Sequence, residues 1–521
     1  MIRTKRWRAA AAVCAATLAL AACNPTTGSS SRQPAGSPTP GGTARVITVA
    51  EPRSLDPAIM ANWWSQQGFL GNALYGTLLT DDPVTNAIQS KMAESFTSSD
   101  GGSTFQLKLR PGLTFSDGSP LDAAAVKFNW DRIKNPTLGS QTRLDAMLIA
   151  STAVADPLTL TVKLVSPMPN FAQVVVSDSL NWIASPTALQ GGQAAFDANP
   201  IGAGPYTLQQ WTRQDKVELA KNPRYWDAPR PYLDHLTVRF SLDSKQRVNT
   251  LMSGGADVEV DTSWTTIAKA RAAGFPVDVG AFSGGQYMAM NMRRAPFNDI
   301  RARQAVAAAL DMNAINLAVY EGKAQTVPTL FTESSPFYSP DLKLLQPDKA
   351  TAQRLFDELA AAGKPVSFVF KYFPSLENKA LAESVQAQLS AFRNVTVKLQ
   401  AVDPSETSAI YSAYDFDMVA YATQFTDPDP ELYANFHSGS ARNVSAVSDP
   451  ALDAALNAGR TATSIDQRKA AYRTVQERLI ALVPAIFYVR TAPGVVTGKD
   501  VYGVTQYGRG SLLPEQLWIK H

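Results

Sequence analysis

Cysteine and histidine are scarce in this sequence, which has two cysteines and three histidines among 521 residues. Both cysteines, Cys14 and Cys23, lie near the N-terminus, so the rest of the chain cannot form a disulfide or a thiolate metal site. The histidines, His235, His437 and His521, are not spaced as metal ligands. A glycine-rich phosphate loop and a Gly-x-Ser-x-Gly nucleophile motif are also absent from the sequence. These absences argue against a metalloenzyme, an ATPase or a serine hydrolase, and we expect no cofactor and no catalysis.

Long apolar stretches are missing as well, because none after residue 22 reaches the roughly 18 residues that a membrane-spanning helix needs. At the N-terminus, four basic residues precede an apolar stretch over residues 9–22 that is too short to span a bilayer. It ends in Leu20-Ala21-Ala22-Cys23, a pattern typical of lipoprotein cleavage sites. We predict a signal peptide over residues 1–22 and acylation of Cys23, with an ordinary secretory peptide cut after Ala22 as the alternative.

The predicted signal peptide also carries the excess of positive charge. The whole chain has 48 Lys and Arg against 45 Asp and Glu, but only 44 of these basic residues follow residue 22. A nearly neutral chain without a basic cluster is not typical of nucleic-acid-binding proteins. Residues 23–43 are rich in Ser, Thr, Pro and Gly, and we predict a flexible tether there.

The remaining 478 residues exceed one ordinary hydrophobic core, so two or three compact units are expected. Up to about residue 280, short alternating strands and Pro/Gly turns predict an α+β unit, with a strand at 104–109 and a helix at 123–133. Beyond about residue 282, strands alternate with helices such as 376–389 and 466–482. This alternation favours an α/β unit with mostly parallel strand pairing.

Six short blocks occur in order along the chain. They are Leu55-Asp56-Pro57; Met92–Phe96 leading to Leu109–Gly118; Gly202–Tyr206; Asn222–Trp226; Asn291 with Ala295–Ala305; and Asp427–Pro430. Together they resemble the bacterial extracellular solute-binding protein family 5, the dipeptide- and oligopeptide-binding components of ABC importers. The resemblance covers nearly all of the chain after the tether. Pro111-Gly112 and Asp117-Gly118 have the chemistry of turns, so we expect their block to build the fold rather than bind ligand.

The resemblance implies an α/β protein with a two-lobed, periplasmic-binding-protein type II-like fold, a hinge and an extra subdomain in the first lobe. Lobe I would span residues 44–282 with the subdomain at about 78–195, lobe II would span 283–487, and 488–521 would return to lobe I. The crossovers are expected near 281–285 and 487–491. Ligand would lie between the lobes, which close on it.

The resemblance also implies where a peptide's amine would bind. In peptide-binding members an aspartate just before the late acidic turn holds the amine, and its place here is Thr426, with Thr423 at the position of a family tryptophan. A shift of one residue would give the role to Asp427. Asp429-Pro430-Glu431 has the pattern of a helix N-cap. The interval between Lys398 and Arg442 contains no Lys or Arg, so a clamp for a peptide's carboxylate is not expected in that interval.

Aromatic and amide side chains supply the other candidate ligand contacts. Trp63 and Trp64 are adjacent after Asn62, so both cannot face one core, and one of them is predicted to be a platform in the cleft. The remaining candidates are Tyr287, Met288, Tyr421, Gln424 and Tyr488, each of which could instead belong to the core.

The sequence therefore predicts a lipid-anchored, monomeric binding protein that delivers a peptide-like or other small organic solute to the permease and ATPase subunits of an ABC importer. A surface sensor or receptor without a transport partner is the alternative from another class. A non-peptide solute such as an oligosaccharide is the alternative ligand.

Overall fold

The computed structural model describes residues 36–520 apart from 83–84, 404–405, 407–409 and 411. The predicted signal peptide, and Cys23 with it, lies outside the described residues. Within them, no helix has the length and apolar character needed to cross a membrane. The chain joins the fold just before the end of the predicted tether, since the Gly41 N–H donates to the Tyr232 carbonyl at 2.8 Å and the strand Thr43–Thr48 follows.

A seven-stranded mixed sheet forms the centre of the first lobe. Across the sheet, the strands are Val277–Val279, Gly494–Thr497, Val258–Asp261, Thr43–Thr48, His235–Phe240, Lys216–Lys221 and Tyr206–Thr212. The central strand pairs in parallel with both neighbours, which places Val46 opposite Val238 and Val258. All three valines are buried, as β-branched residues in the middle of a sheet usually are. The helices Ser244–Met252 and Trp264–Ala272 pack on this sheet.

A four-stranded antiparallel sheet lies within the range expected for the subdomain. In order, its strands are Ala93–Thr97, Thr104–Leu109, Thr159–Leu164 and Ile149–Asp156. Phe96, Phe105 and Phe171 form an aromatic core with Trp130 of the helix Ala123–Ile133, at ring-centroid distances between 4.8 and 6.1 Å. In the block after Leu109, Gly112 and Gly118 have φ values of 77° and 90°, which glycine adopts without strain.

The other described elements of the first lobe are short. They are the strand pairs Leu79–Asp81 with Ile88–Ser90, Val501–Tyr502 with Trp518–Ile519 and Gln506–Tyr507 with Ser511–Leu512; the α-helices Gly68–Tyr75, Arg143–Ala146, Phe171–Ser177, Pro186–Gln190 and Gln193–Ala198; and the 3-10 helices Pro136–Leu138, Ser179–Asn181 and Pro514–Gln516. The C-terminal residues pack on the first lobe, because Asn72 Nδ2 donates to the Leu512 carbonyl at 2.9 Å.

A five-stranded mixed sheet forms the centre of the second lobe, in the order Val395–Ala401, Val366–Tyr372, Met418–Phe425, Ser283–Met290 and Ala485–Val489. The prediction of mostly parallel pairing is wrong for this sheet. Val366–Tyr372 is parallel to both neighbours, whereas Ser283–Met290 is antiparallel to both. Val366–Tyr372 and Val395–Ala401 are joined by one helical crossover, Leu376–Leu389, and such connections favour parallel pairs. The antiparallel strands are those by which the chain enters and leaves the lobe.

Helices cover both faces of this second sheet. The described ones are Ile300–Ala309, Met312–Tyr320, Lys349–Ala361, Leu376–Leu389, Glu431–Phe436, Pro450–Thr461 and Ile465–Leu482. Their buried side chains form one core on each face, with Met288 and Met290 in the first and Tyr287 and Ala289 in the second. This is the alternation that a strand buried on both faces requires.

The chain passes between the two sheets at residues 280–282 and 490–493. Tyr488 and Val489 still belong to the last strand of the five-stranded sheet, in which Val489 pairs with Gln286, so the return to the first lobe begins two residues later than expected. At this passage the buried Arg490 guanidinium donates to the carbonyls of Gly284, Leu330, Thr329 and Phe331. Burial without a carboxylate partner lowers the pKa of Arg490 to about 10.

Candidate functional site

A cleft of about 530 Å³ separates the four-stranded sheet of the first lobe from the second lobe, and we call it the outer cleft. The first lobe contributes Thr85, Asn86, Ile88, Phe96, Thr97, Ser98, Gly101, Gly102, Phe105, Pro169, Asn170, Ala172 and Gln173, and the second contributes Pro336, Phe337, Asp427, Thr463, Ile465 and Arg468. Its lining thus combines aromatic rings, amides and hydroxyls. Pockets of this size and mixed chemistry suit small organic ligands.

A narrower space adjoins the outer cleft, and we call it the inner gap. It is about 10 Å³, enough for about one water molecule, and it is lined by Gln173, Ser177, Gly508 and Arg509 of the first lobe and by Gln424, Phe425, Thr426, Asp427, Asp429, Pro430 and Glu431 of the second. Gln173 and Asp427 line both spaces, so the two are continuous in position.

Ion pairs bridge the lobes around the inner gap. Arg442 Nη2 of the second lobe contacts Asp145 Oδ1 of the first at 3.0 Å, and Arg509 Nη1 of the first contacts Glu431 Oε1 of the second at 3.3 Å. Asn86 Nδ2 also donates across the cleft to the Thr426 carbonyl at 3.2 Å. These contacts hold the two lobes together, so the structure shows a closed arrangement.

The charged groups around the inner gap change one another's protonation. Burial raises the pKa of Asp178 well above its usual range, and the nearby Asp145 raises it further. Burial alone would lower the pKa of Arg442, but Asp145, Glu431 and Asp178 raise it by more, so Arg442 is charged. The pKa of the Tyr421 hydroxyl is raised, chiefly by burial. Three acids, two arginines and one phenol therefore form the polar centre of the molecule.

The two candidate tryptophans have different surroundings. The Arg509 guanidinium lies 4.7 Å above the ring of Trp63, a cation–π contact at the inner gap. Trp64 Nε1 instead donates to the Asp261 carbonyl at 3.2 Å. Trp63 is therefore the better candidate for a ligand platform.

Asn62 does not face either space in this structure. It is buried, its Nδ2 donates to the Val176 carbonyl and the Tyr507 hydroxyl, and its Oδ1 accepts from the Ser511 hydroxyl. These bonds fix the first lobe's own segments. The expectation that Asn62 contacts ligand is corrected to a supporting role.

Three further candidates lie in the core of the second lobe. Tyr287 is fully buried against Tyr421 and Phe487, and Met288 is fully buried on the opposite face of the same strand. The Tyr488 hydroxyl donates to Gln286 Oε1 at 2.7 Å. Because none of the three lines the outer cleft or the inner gap, we correct their expected ligand contact to packing.

The strand Met418–Phe425 carries the remaining candidates. Tyr421 is half-buried beside the inter-lobe charges, and Gln424 lines the inner gap with an Nε2 atom that no described residue accepts from. Thr423 is buried, and its hydroxyl accepts from Asn435 Nδ2 at 3.3 Å. Gln424 therefore reaches the inner gap, Tyr421 lies beside the inter-lobe charges, and Thr423 packs behind the gap.

Both aspartates of the late acidic turn have arginine partners. Arg468 Nη1 and Nη2 contact Asp427 at 2.8 and 2.5 Å, and the Arg460 guanidinium contacts Asp429 at 2.8 and 3.0 Å. Asp427 is already neutralised, which argues against its role as the counter-charge for a ligand amine. The N-cap expected at Asp429 is wrong, because the helix Glu431–Phe436 has no side-chain cap and Arg460 takes the carboxylate.

No group of three or more acidic, histidine or cysteine side chains is arranged to hold a metal ion in the described part of the chain.

A family model for bacterial extracellular solute-binding proteins, family 5 Middle, matches residues 87–444. The chain belongs to this family. Among its curated relatives, the glutathione-binding protein GsiB of Salmonella paratyphi A (strain ATCC 9150 / SARB42) is 30% identical over 327 residues. That match covers 62% of this chain and 62% of GsiB, so it spans less than two-thirds of either protein.

Solved structures of the same shape confirm the predicted two-lobed, type II periplasmic-binding-protein fold. AgaA of A. tumefaciens R10, in complex with agropinic acid, has a TM-score of 0.78 at 23% identity, with 92% of this chain and 99% of AgaA covered. The oligopeptide-binding protein AppA of Bacillus subtilis, in complex with a nonapeptide, has a TM-score of 0.77 at 21% identity, with 93% of this chain and 100% of AppA covered. DppA of Helicobacter pylori, in complex with the peptide STSA, has a TM-score of 0.79 at 20% identity, with 93% and 99% covered.

Four charged residues in or around the inner gap were not predicted from the sequence. Asp145, Asp178 and Arg509 belong to no block of the family resemblance, and Arg442 is the residue that ends the cation-free interval after Lys398. A signal was present for Arg509, because it lies between Gly508 and Gly510, and a glycine-flanked arginine at a turn is well suited to an exposed, fixed position. Nothing in the local pattern identified the other three residues.

Proposed function

We propose that this solute-binding protein captures a small charged organic solute between its lobes and delivers it to the permease and ATPase subunits of an ABC importer. The observation that carries the proposal is the meeting of Asp145, Arg442, Glu431 and Arg509 from opposite lobes beside a cleft of about 530 Å³. Residues of both lobes line this cleft, so a solute in it contacts both lobes only when they are closed.

The mechanism is a difference in affinity between two arrangements of the lobes. A ligand that contacts both lobes stabilises the closed arrangement over the open one by the contacts that only the closed arrangement provides. The permease then distinguishes loaded from empty protein by the relative position of the lobes. No bond in the solute is made or broken.

The chemistry of the lining favours a peptide-like solute. The inner gap offers guanidinium and carboxylate groups for charged ends, and the outer cleft offers amides, hydroxyls and aromatic rings for an uncharged body. GsiB is named for glutathione, and AppA and DppA hold peptides. Glutathione and short peptides are therefore the first ligands to test.

The proposed location is the outer surface of the cell membrane, where acyl chains on Cys23 would hold the protein. Replacing Cys23 by Ser should move the protein from the membrane fraction into the soluble extracytoplasmic fraction or the medium, as detected by immunoblotting. Unchanged membrane association of the Cys23→Ser protein would contradict the anchor.

The direct test of the binding role is native mass spectrometry of the purified protein, followed by calorimetric titration with each compound found. We expect a one-to-one complex with a peptide-like solute, and reduced uptake of that solute by cells that lack the protein. Binding without any change in uptake would favour a sensor, and a bound sugar would replace the peptide-like solute with an oligosaccharide.

A further inference from the structure

We infer that Glu377 is a proton-linked latch between the lobes: closing the lobes moves its carboxylate from water to a buried acidic cluster of the first lobe, so that closure takes up a proton. The inference rests on the proposed function, since it requires lobes that open and close. It concerns a contact separate from the outer cleft and the inner gap, between Glu377 of the second lobe and Ser263 of the first.

The latch contact joins the N-terminal ends of two helices from opposite lobes. Glu377 lies in the first turn of Leu376–Leu389 in the second lobe, and Ser263 is the N-cap residue of Trp264–Ala272 in the first. The Ser263 side chain does not cap its own helix, and its hydroxyl donates instead to Glu377 Oε1 at 2.6 Å. An N-cap serine usually bonds to the backbone of its own helix, so here that hydroxyl serves the contact between the lobes.

Ser263 also adjoins the buried acidic cluster of the first lobe. Its backbone N–H donates to Asp261 Oδ1 at 3.0 Å, so Asp261 and Glu377 are both hydrogen-bonded to this serine. Arg247 contacts Glu259 at 3.1 Å and Asp261 at 3.6 Å, and these three side chains are fully buried. One carboxylate oxygen of Glu259 and one of Asp261 have no hydrogen-bond partner among the described residues. A single guanidinium therefore serves two carboxylates before Glu377 adds a third.

The buried cation of this cluster is already matched. Burial raises the pKa of Glu259 to about 9, and the neighbouring Asp261 raises it too, so Glu259 keeps its proton at neutral pH. Arg247 then balances Asp261. Among the described residues, the other cation that faces Glu377 is Lys245, which is exposed to water. An ionised Glu377 therefore reaches the cluster without a buried counter-charge of its own, which favours its protonated form.

The groups that face Glu377 from its own lobe supply no further counter-charge. They include the hydroxyls of Tyr320 and Tyr488, whose pKa values are raised by burial and further by the charge of Glu377, so both phenols stay neutral. On the helix of Glu377, Lys379 contacts Glu383 at 3.7 Å. The second lobe therefore does not hold Glu377 in its ionised form.

Closure should for these reasons raise the pKa of Glu377. In the closed arrangement, burial and the nearby Asp261 raise it by more than the Ser263 hydroxyl and the two cations lower it. In the open arrangement the side chain would return to water and to an ordinary pKa of about 4.3. A group whose pKa is higher in the closed arrangement favours closure most below both values, and this effect is lost as the pH rises through the closed-state pKa. Closing should therefore become easier as the pH falls.

The experiment measures the ratio of open to closed protein without any ligand, by small-angle X-ray scattering at about pH 8 and about pH 5. Glu377→Gln keeps an acceptor for the Ser263 hydroxyl but cannot ionise, and Glu383→Gln is the matched control, since Glu383 is exposed on the same helix. For the wild type and the control, the ratio should fall at least about threefold from the higher to the lower pH. For Glu377→Gln it should change less than about 1.5-fold, because the variant is already as closed at the higher pH as the wild type is at the lower.

A second variant, Ser263→Ala, separates the contact from the proton. It removes the hydroxyl that Glu377 accepts from, while its helix has no side-chain cap to lose. The open-to-closed ratio should rise at least about threefold at the higher pH, and its fall toward the lower pH should persist. Melting temperatures within a few degrees of the wild type would show that the variants are folded.

Three results would overturn the inference. The same pH dependence in Glu377→Gln as in the wild type would place the proton elsewhere, and a wild-type ratio that rises as the pH falls would show that closure releases protons. An unchanged ratio in Ser263→Ala would show that the contact does not hold the lobes. The scattering needs no solute, so failure to bind any solute would contradict the proposed function without altering these outcomes.

Discussion

Arginine is the cation in all four ion pairs that surround the inner gap and the late acidic turn. Its planar guanidinium can donate to both oxygens of a carboxylate, so it suits buried pairs better than lysine does. Arg460 and Arg468 neutralise carboxylates within the second lobe. Arg442 of the second lobe pairs with a carboxylate of the first lobe, and Arg509 of the first lobe pairs with a carboxylate of the second. The same chemistry thus serves rigidity in one place and lobe closure in the other.

The Asp427–Arg468 pair should matter for stability rather than for ligand charge. Asp427→Asn leaves a buried Arg468 without its carboxylate, and the free energy of unfolding should fall by about 3 kcal/mol. Affinity for glutathione and short peptides with a free amine should change less than threefold, because Arg468 already occupies the carboxylate of Asp427. Chemical denaturation measures the free energy of unfolding and calorimetry measures the affinity, with Asp429→Asn as the matched control. A tenfold loss of affinity with unchanged stability would restore Asp427 as the amine ligand.

Trp63 is expected to bind ligand through its ring face. Trp63→Ala removes the surface beneath Arg509, and the lost cation–π and stacking contacts, about 1 kcal/mol, should weaken binding roughly fivefold. Trp63→Phe keeps a ring and should lose less than Trp63→Ala. The melting temperature of both variants should stay within a few degrees of the wild type. If calorimetry finds the same affinity for all three proteins, the platform assignment is wrong.

At the scale of single elements, local sequence carries most of the information. The strand Thr104–Leu109 and the helices Ala123–Ile133 and Leu376–Leu389 have the bounds that periodicity predicts, since Asp122 and Ser375 cap the helices with their side chains. Asp429 shows the limit of this reasoning. Its sequence context fits a cap, but a tertiary partner, Arg460, binds the carboxylate instead.

The candidate site was predictable only in part, because its charged members come from distant segments. Asp145 and Arg442 are 297 residues apart. Asp145 lies in a four-residue helix and Arg442 in a turn, so neither belongs to a long periodic pattern. Residues of this kind are brought together only by the packing of whole lobes. Tyr421, Gln424 and Trp63 could be found because they flank a family block or stand out by composition.

The strand that opens the second lobe needs glycine at its start. Gly284 has a φ of 76°, and a Cβ there would lie 2.3 Å from the Thr423 carbonyl oxygen. Gly284→Ala should therefore lower the free energy of unfolding by about 3 kcal/mol, combining backbone strain with a clash. Gly112→Ala is the matched control, since Gly112 has a φ of 77° with open space around its Cβ position, and it should cost only about 1 kcal/mol. If urea denaturation shows the same loss in free energy of unfolding for both variants, backbone strain alone accounts for the cost and the clash contributes nothing.

At the scale of the whole molecule, few contacts hold the lobes together at the cleft. The inter-lobe pairs are partly exposed to water, so each is expected to contribute modestly and to weaken with salt. Such a balance leaves the open and closed arrangements close in free energy, which is what allows a ligand to choose between them.

Removing one inter-lobe pair should open the unliganded protein. Arg442→Gln removes the contact with Asp145, and the radius of gyration from small-angle X-ray scattering should increase. Arg473→Gln removes an exposed pair with Asp341 that does not cross the lobes, and should leave the radius unchanged. An unchanged radius for Arg442→Gln would mean that other contacts govern closure.

The central claim is that the lobes close around a solute, and a distance between them tests it most directly. With Cys14 and Cys23 both replaced by Ser, no native cysteine is left in the chain, so spin labels can be placed at Ser99→Cys on the first lobe and Asp466→Cys on the second, on either side of the outer cleft. Pulsed electron paramagnetic resonance should show a broad distribution that includes both short and long distances in the ligand-free protein, and one narrow, short distance when the solute identified by native mass spectrometry is added. Identical distributions with and without that solute would contradict the account.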